Sequence, residues 1–304
     1  MRVLFAGTPA VAVPSLRLLL DRGFDVVAVL TQPARPKGRS GQPVPSAVAV
    51  FAHEHSIPVL SPAKVSDCLA ELTDLQIDVA AVVAYGQLLP KSVLAASKSG
   101  WVNLHFSLLP HLRGAAPAQW SIISGDDVTG ASTFLLDEGM DTGPVLGTFT
   151  TQVPPAQTAS GLLADLAESG AELLAQTLSG IESGQLQAVP QDHSLATYAP
   201  KLTASDALVR WQDPAIAVDR RIRGCTDQPG AWTLAAGEKL LISPVEITDE
   251  VLPPGLVRAS KQEVLVGTGS SAVRLGQVKP AGKRWMSAGD WVRGLREPVE
   301  RLGE

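Results

Sequence analysis

The chain has 304 residues, 45% of them hydrophobic and 5% aromatic, and carries a formal net charge of −5. That length exceeds the usual single domain and predicts two, with cores built mostly from Val, Leu, Ile and Ala. The two cysteines, Cys68 and Cys225, form no CxxC pair, which argues against a disulfide framework or a zinc site and fits a reducing compartment.

Arg2 to Ala6 is a short apolar run that ends at Gly7-Thr8-Pro9, and Pro14 to Leu20 has helical character. Pro9 and Arg17 interrupt the apolar N-terminus, so it reads as strand, turn and helix and not as a signal peptide. No run is long enough to span a bilayer, no Arg-rich leader is present, and the expected location is the cytoplasm. Asp25 to Leu30 is a second buried strand, giving a βαβ unit with parallel strands. Helices are expected near 47–55 and 65–75, and further unalternating apolar strands at Asp78–Ala84 and Trp101–Leu104. Such runs suit a parallel sheet covered on both faces, and the expected architecture is a doubly wound, mostly parallel α/β sheet. Another strand is expected at Ala131–Leu135, then a long helix over 158–181 and a polar stretch from Gly184 to Pro200 that reads as a linker. Beyond it come short β-like stretches at 231–234, 239–242, 263–267 and 272–275, separated by Gly and Pro, as in a small β-barrel or sandwich. The expected division is 1–189, a linker at 190–206, and 207–304. Residues 207–304 hold 14 Lys and Arg against 12 Asp and Glu, whereas 1–206 hold 11 against 18. A mildly basic C-terminal part is a weak pointer to an anionic partner.

In an open parallel sheet, ligands bind beyond the carboxyl ends of the strands. The loop after the first strand has a single glycine followed by Pro9, not GxGxxG, which argues against a nicotinamide-dependent oxidoreductase. The fourth apolar strand runs into Asn103-Leu104-His105-Phe106-Ser107-Leu108-Leu109-Pro110. Asn103 and His105 fall on one strand face. An amide can donate to a developing oxyanion, and an imidazole can donate or move a proton near neutral pH. Taken alone, the pair reads first as two hydrogen-bonded polar residues closing a strand. Asp141, in the loop Leu136-Asp137-Glu138-Gly139-Met140-Asp141-Thr142-Gly143, can orient that imidazole, although Asp-Gly turns are common.

The segment NLHFSLLPHLRGAAPAQW, Asn103 to Trp120, resembles the signature of the folate-dependent formyltransferases: Asn-x-His, Ser-Leu-Leu-Pro, then Arg-Gly after a short gap. Asp141 in DEGMDTG matches the family's third catalytic position. The resemblance runs along the whole chain, through FAGTPAVAVPSL, TQPARPKGR and VVAYGQLLP, to KPAGKRWMSAGDW at 279–291. It implies a Rossmann-like formyltransferase domain followed by a small OB-like β-barrel, and it implies 10-formyltetrahydrofolate as co-substrate with no metal. The C-terminal motifs are similar to the branch of the family whose acceptor is methionine carried on initiator tRNA. The catalytic roles then fall to Asn103, His105 and Asp141, with Asn103 and His105 as donors toward the oxyanion. Asp141 would orient His105 and take part in proton removal. Ser107, Leu108, Leu109 and Pro110 resemble the folate-binding stretch. Arg35, Lys37 and Arg39 resemble a basic loop that meets the tRNA acceptor stem, less basic here than in many relatives. Arg220, Arg221, Arg223, Lys279, Lys283 and Arg284 are further candidate phosphate contacts. Phe106 stands where Pro or Gly is common, and Leu112 where an aromatic is common, which implies altered folate packing. A formyltransferase acting on an amino-sugar nucleotide, or a formyltetrahydrofolate hydrolase, would share the three residues. A non-catalytic RNA-binding protein would leave them without a purpose. Nothing in the sequence demands more than a monomer.

Overall fold

Val, Ala and Leu on both faces of a strand leave no polar side for water, so such strands settle in the middle of a sheet covered on both sides. The computed structural model, which describes residues 1–36, 41–260 and 263–303, shows this for β1 (Arg2–Gly7), β6 (Val79–Val83) and β7 (Trp101–His105), nearly every residue of which is buried. Before β6 the chain forms α1 (Val13–Asp21), β2 (Asp25–Leu30), the short strands β3 (Arg35–Pro36) and β4 (Pro43–Val44), α2 (Ala47–Glu54), β5 (Val59–Leu60) and α3 (Leu69–Asp74). α4 (Lys91–Leu94) leads into β7, and α5 (Pro117–Ser124), β8 (Val128–Leu135), β9 (Val145–Gln152) and α6 (Ala159–Glu182) follow it. The seven-stranded sheet has the order β5-β2-β1-β6-β7-β8-β9. β5, β2, β1, β6 and β7 are parallel, and β8 is antiparallel to β7 with Asn103 opposite Phe134 and His105 opposite Ser132.

β1 pairs with β2 on one side and β6 on the other, so the chain reverses its direction of travel across the sheet there. Connections diverge at such a point and open a crevice beyond the strand ends. Gly7 closes β1 because there is no room for anything larger: a Cβ there would lie 2.9 Å from the Ala12 Cβ and 3.0 Å from the Val83 carbonyl. α6 covers the other end of the sheet. Gly170 brings it close to β7, where an added Cβ would meet Leu104 Cδ2 at 2.9 Å, and the Thr177 and Thr133 hydroxyls bond at 2.8 Å.

The chain divides into two compact units. One comprises Met1–Gly114, Val128–Thr151 and Leu163–Ala199, and the other Ala115–Asp127, Gln152–Leu162 and the residues from Pro200 onward. The second unit contains α7 (Ala215–Gly224), β10 (Trp232–Ala235), β11 (Glu238–Ile242), β12 (Glu246–Ile247), β13 (Val257–Ala259), β14 (Val264–Val266), β15 (Val273–Arg274), β16 (Gln277–Pro280), β17 (Met286–Ser287) and α8 (Ala288–Arg293). Its strands form two antiparallel four-stranded sheets, β10-β11-β16-β17 and β12-β15-β14-β13. Both sheets bury side chains in one core with Trp211, Val218 and Ile222, where the indole N–H of Trp211 donates to the Thr233 hydroxyl at 2.9 Å. α5 packs on α7 at Gly224, whose missing side chain leaves space for Ile123. Among the described residues no helix is long and apolar enough to cross a membrane.

Candidate active site

The site grows from the carboxyl end of β7 and the two loops that flank it, 106–114 and 136–144. Asn103 is half-buried, and among the described residues its carboxamide has no side-chain hydrogen bond. His105 is 6% exposed. Its Nε2 lies 2.9 Å from the Leu112 carbonyl oxygen, an acceptor only, so Nε2 carries the proton. Nδ1 then bears the lone pair in the neutral ring, and it faces Asp141 Oδ2 at 3.8 Å. Burial holds the His105 imidazole below its ordinary range, against the opposing pull of Asp141 and of the Leu112 carbonyl.

Asp141 is held in turn. The Gly114 N–H donates to its Oδ2 at 2.8 Å, and its backbone lies in the left-handed region with φ +53. Asp137 shapes the same loop by accepting from the Gly139 N–H at 3.0 Å and the Thr142 hydroxyl at 2.7 Å. Gly143 cannot be replaced without moving this loop, since a Cβ there would lie 1.8 Å from the Leu135 carbonyl oxygen. The structure therefore brings His105 and Asp141 together from two distant stretches of sequence, with a gap of 3.8 Å between Nδ1 and Oδ2, and Asn103 lies two residues before His105 on β7. That gap is longer than a hydrogen bond, and both atoms facing it are acceptors when the ring is neutral. It suits a donor from outside the chain, such as an amine N–H.

The Ser107–Pro110 stretch divides by burial. The Ser107 hydroxyl donates to the His111 carbonyl at 2.6 Å, and the Leu109 N–H donates to the Ser132 hydroxyl at 3.0 Å. Ser132 in turn donates to the Ser107 carbonyl at 2.8 Å. Ser107 and Leu109 thus fasten the loop to β8, while Leu108 and Pro110 remain half-buried at its surface. Phe106 and Leu112 are both buried. In the neighbouring loops, Leu88 is 93% and Met140 64% exposed, and Lys91 and Glu138 join these loops by an ion pair at 2.6 Å. Exposed apolar chains in two tied loops beside an amide and an imidazole fit a flat, partly apolar ligand with polar edges. Among the described residues, no group of three or more His, Cys, Asp or Glu could hold a metal ion.

Two family models cover most of the chain: formyl transferase over residues 1–178, and formyl transferase, C-terminal domain, over residues 201–296. The chain belongs to the formyl transferase family. It is 56% identical over 301 residues to the methionyl-tRNA formyltransferase of Paenarthrobacter aurescens, with 98% of each chain covered. It is 52% identical over 303 residues to that of Rhodococcus erythropolis, with 99% of each covered. Among solved structures it is similar to an N-formyltransferase from Helicobacter canadensis in complex with folinic acid and dTDP-3-aminofucose. There the TM-score is 0.72 at 17% identity, covering 91% of this chain and 99% of that one. It is also similar to HypX from Aquifex aeolicus in complex with tetrahydrofolic acid, with TM-score 0.70 at 19% identity, covering all of this chain and 51% of that one. At those identities the likeness is one of fold.

The basic residues expected to face a polyanion separate sharply. Arg35 is exposed and its guanidinium donates to the Gln32 carboxamide at 3.1 Å. Lys37 and Arg39 lie outside the described residues. Arg223 is corrected from a surface contact to an internal one: it is 7% exposed, pairs with Asp219 at 2.7 Å and donates to the Gln157 carbonyl at 2.8 Å. Arg221 is half-buried and donates to the Asp206 carbonyl at 2.6 Å, and Arg220 packs on Gly125. Lys279 is half-buried. Lys283 and Arg284 are exposed between β16 and β17, next to Trp285, which is 46% exposed.

Several residues that build the site carry no motif. The Leu112 N–H donates to the Thr197 hydroxyl at 2.8 Å, the Arg113 N–H to the Thr197 carbonyl at 2.9 Å, and the Ala199 N–H to the Arg113 carbonyl at 2.7 Å. Gly114 adopts φ +121 against this stretch, where a Cβ would lie 2.7 Å from the Ala199 carbonyl oxygen. The polar segment before Pro200 is therefore a strut of the site. The only sequence signal for it is weak, a short stretch poor in Gly between two prolines.

Proposed function

We propose that this chain transfers the formyl group of 10-formyltetrahydrofolate to the amino group of methionine on initiator methionyl-tRNA, acting in the cytoplasm as a monomer. The acceptor is supported by relatives more than 50% identical over nearly the full chain. The observation that carries the chemistry is the pair of acceptors His105 Nδ1 and Asp141 Oδ2, 3.8 Å apart and not bonded to each other, with Asn103 two residues before His105 on β7. Residues 1–189, together with the strut that runs up to Ala199, form the catalytic part, and 207–304 bind tRNA, the last supported by the C-terminal family match.

Bound 10-formyltetrahydrofolate supplies the formyl carbon. Leu108, Pro110, Leu88 and Met140 offer apolar surface for its ring system, with the backbone of both loops available to its polar edge. Asn103 donates from its amide N–H to the oxygen on which negative charge develops. His105 Nδ1 and the Asp141 carboxylate receive the proton that the attacking amine must lose and return it to the departing nitrogen. His105 assists an oxyanion as a donor only when protonated, which its burial opposes.

That assignment fixes the sign of the pH dependence. The His105 pKa is lowered from 6.5, so the ring is neutral and competent above that value. kcat is expected to be flat on the alkaline side of 6.5 and to fall only as pH drops through the lowered pKa. The same group contributes stability that is complete above 6.5 and is lost as pH falls from there toward the folded pKa. A kcat that rises on acidification would assign the imidazolium as the active form.

In the second unit, replacing Lys283 and Arg284 together by Glu is expected to raise KM for tRNA while leaving kcat within about twofold. The salt dependence of binding should flatten by about one unit of slope for each phosphate that the wild type neutralises and the variant does not. An unchanged slope would remove this turn from the tRNA surface.

The reading as a whole is tested by offering 10-formyltetrahydrofolate with methionyl initiator tRNA, with an amino-sugar nucleotide, and with water alone. Formyl-methionine from the first is expected. Product only from the second or third would replace the proposed acceptor.

A further inference from the structure

Arg113 is 2% exposed, and among the described residues it has no acidic partner. A buried guanidinium needs compensation for its lost hydration. It finds this in one carboxamide: Arg113 Nε and an Nη both donate to Gln191 Oε1, at 3.1 and 2.6 Å, and the Nη also meets His193 Nδ1 at 3.0 Å. Gln191 is 8% exposed and lies within 179–200, between the two family matches. Its other end donates from Nε2 to two backbone carbonyls, those of Asp141 at 2.9 Å and Gly143 at 2.7 Å.

These four bonds admit one orientation of the amide. Turned over, its NH2 would face the guanidinium and its oxygen would face two carbonyls, losing every bond at once. The positive charge on Arg113 therefore fixes which way Gln191 points. Gln191 in turn fixes the backbone on both sides of Thr142, where Asp141 adopts its left-handed φ and Gly143 admits no side chain. The loop position sets where Oδ2 stands relative to His105. From the other side, Gly114, adjacent to Arg113, donates to that same Oδ2. One short segment, Arg113-Gly114, thus holds Asp141 twice, through its side chain directly and through its backbone by way of Gln191.

We propose that Gln191, oriented by Arg113, is a positioning residue for Asp141: it sets the Nδ1-to-Oδ2 gap in which the acceptor amine loses its proton. This rests on the formyl-transfer reading given above. A carboxylate at 191 separates positioning from mere packing. Gln191→Glu keeps the volume and strengthens the pairing with Arg113, but removes both donors to the 141 and 143 carbonyls.

The test uses the full chain. Gln191→Glu is expected to fold, to keep KM for 10-formyltetrahydrofolate within about twofold, and to lose about 10–100-fold in kcat, the range found when groups that orient a reacting residue are removed. Made in an Asp141→Asn background, it is expected to cost less than about threefold more, because both changes disable one device. Amide exchange at 139–143 should quicken by about tenfold while exchange in β6 and β7 stays as in wild type. Should Gln191→Glu not fold, Gln191→Asn, which keeps both polar ends but shortens the reach, carries the same readouts. Unchanged kcat, a fully additive double variant, or unchanged exchange in the 139–143 loop would overturn the proposal. A wild-type chain inactive on methionyl-tRNA would instead overturn the acceptor reading, and the exchange measurement would still decide the role of Gln191.

Discussion

Asp141→Asn is expected to lower kcat by about 10²–10⁴-fold, the span associated with a lost general base. Asn is the informative substitution because Asp141 sits at φ +53. Asn and Asp tolerate that conformation, whereas most other side chains would add backbone strain to the loss of the carboxylate. The amide oxygen of Asn can still accept from the Gly114 N–H, so the loop keeps its anchor. With that oxygen in the Oδ2 position, the amide leaves only a neutral carbonyl, a far weaker proton acceptor, opposite His105 Nδ1 across the 3.8 Å gap. KM for 10-formyltetrahydrofolate and the melting temperature should stay close to wild type. A variant that retains near-wild-type kcat would remove Asp141 from the proton path.

Asn103→Ala is the second large effect. Removing one donor from a developing oxyanion costs about 10²–10³-fold in kcat. The Asn103 side chain has no hydrogen bond among the described residues and is only half-buried. Its loss should therefore leave stability almost untouched, within about 0.5 kcal/mol for a substitution of this kind. A site whose chemistry and stability respond so differently to one residue is what an unengaged donor at a strand end predicts. If stability falls while kcat holds, Asn103 is a structural closure of β7 and nothing more.

The parallel core was readable because its strands are unbroken apolar runs of five or six residues, a pattern with few competing explanations. Val79–Val83 and Asp25–Leu30 fall within a residue of their expected limits. The long helix Ala159–Glu182 was readable by its length and its cap candidates. α5 and α7 were not. Pro117–Ser124 begins inside the Asn103–Trp120 motif, straight after Gly114-Ala115-Ala116, and carries no clear apolar period, and in Ala215–Gly224 three arginines mask the apolar face. Arg223 shows the cost of that emphasis: an Asp four residues earlier and a backbone carbonyl draw it inside.

The site divides along the same line. Asn103 and His105 are two apart on one strand, so their alignment follows from local geometry. Asp141 joins them through a turn whose Asp and Gly residues leave a sequence trace. Gln191 and Thr197 leave almost none. Their hydrogen bonds reach back about 50 to 85 residues, to the 141–143 loop and to Leu112, and polar residues in a segment with no periodicity look the same whether they face water or hold a site. Ser107 illustrates the converse. Its motif was readable, but its hydroxyl is engaged by the His111 carbonyl inside its own loop.

Single-turnover formylation of methionyl initiator tRNA, with enzyme and 10-formyltetrahydrofolate in excess, separates the chemical step from binding and release. Wild type is expected to convert the bound tRNA to formyl-methionyl-tRNA, and Asn103→Ala and Asp141→Asn to slow that step by the factors given above at unchanged tRNA affinity. No formyl-methionine from wild type, or variants that match its rate, would contradict the assignment of formyl transfer to these residues.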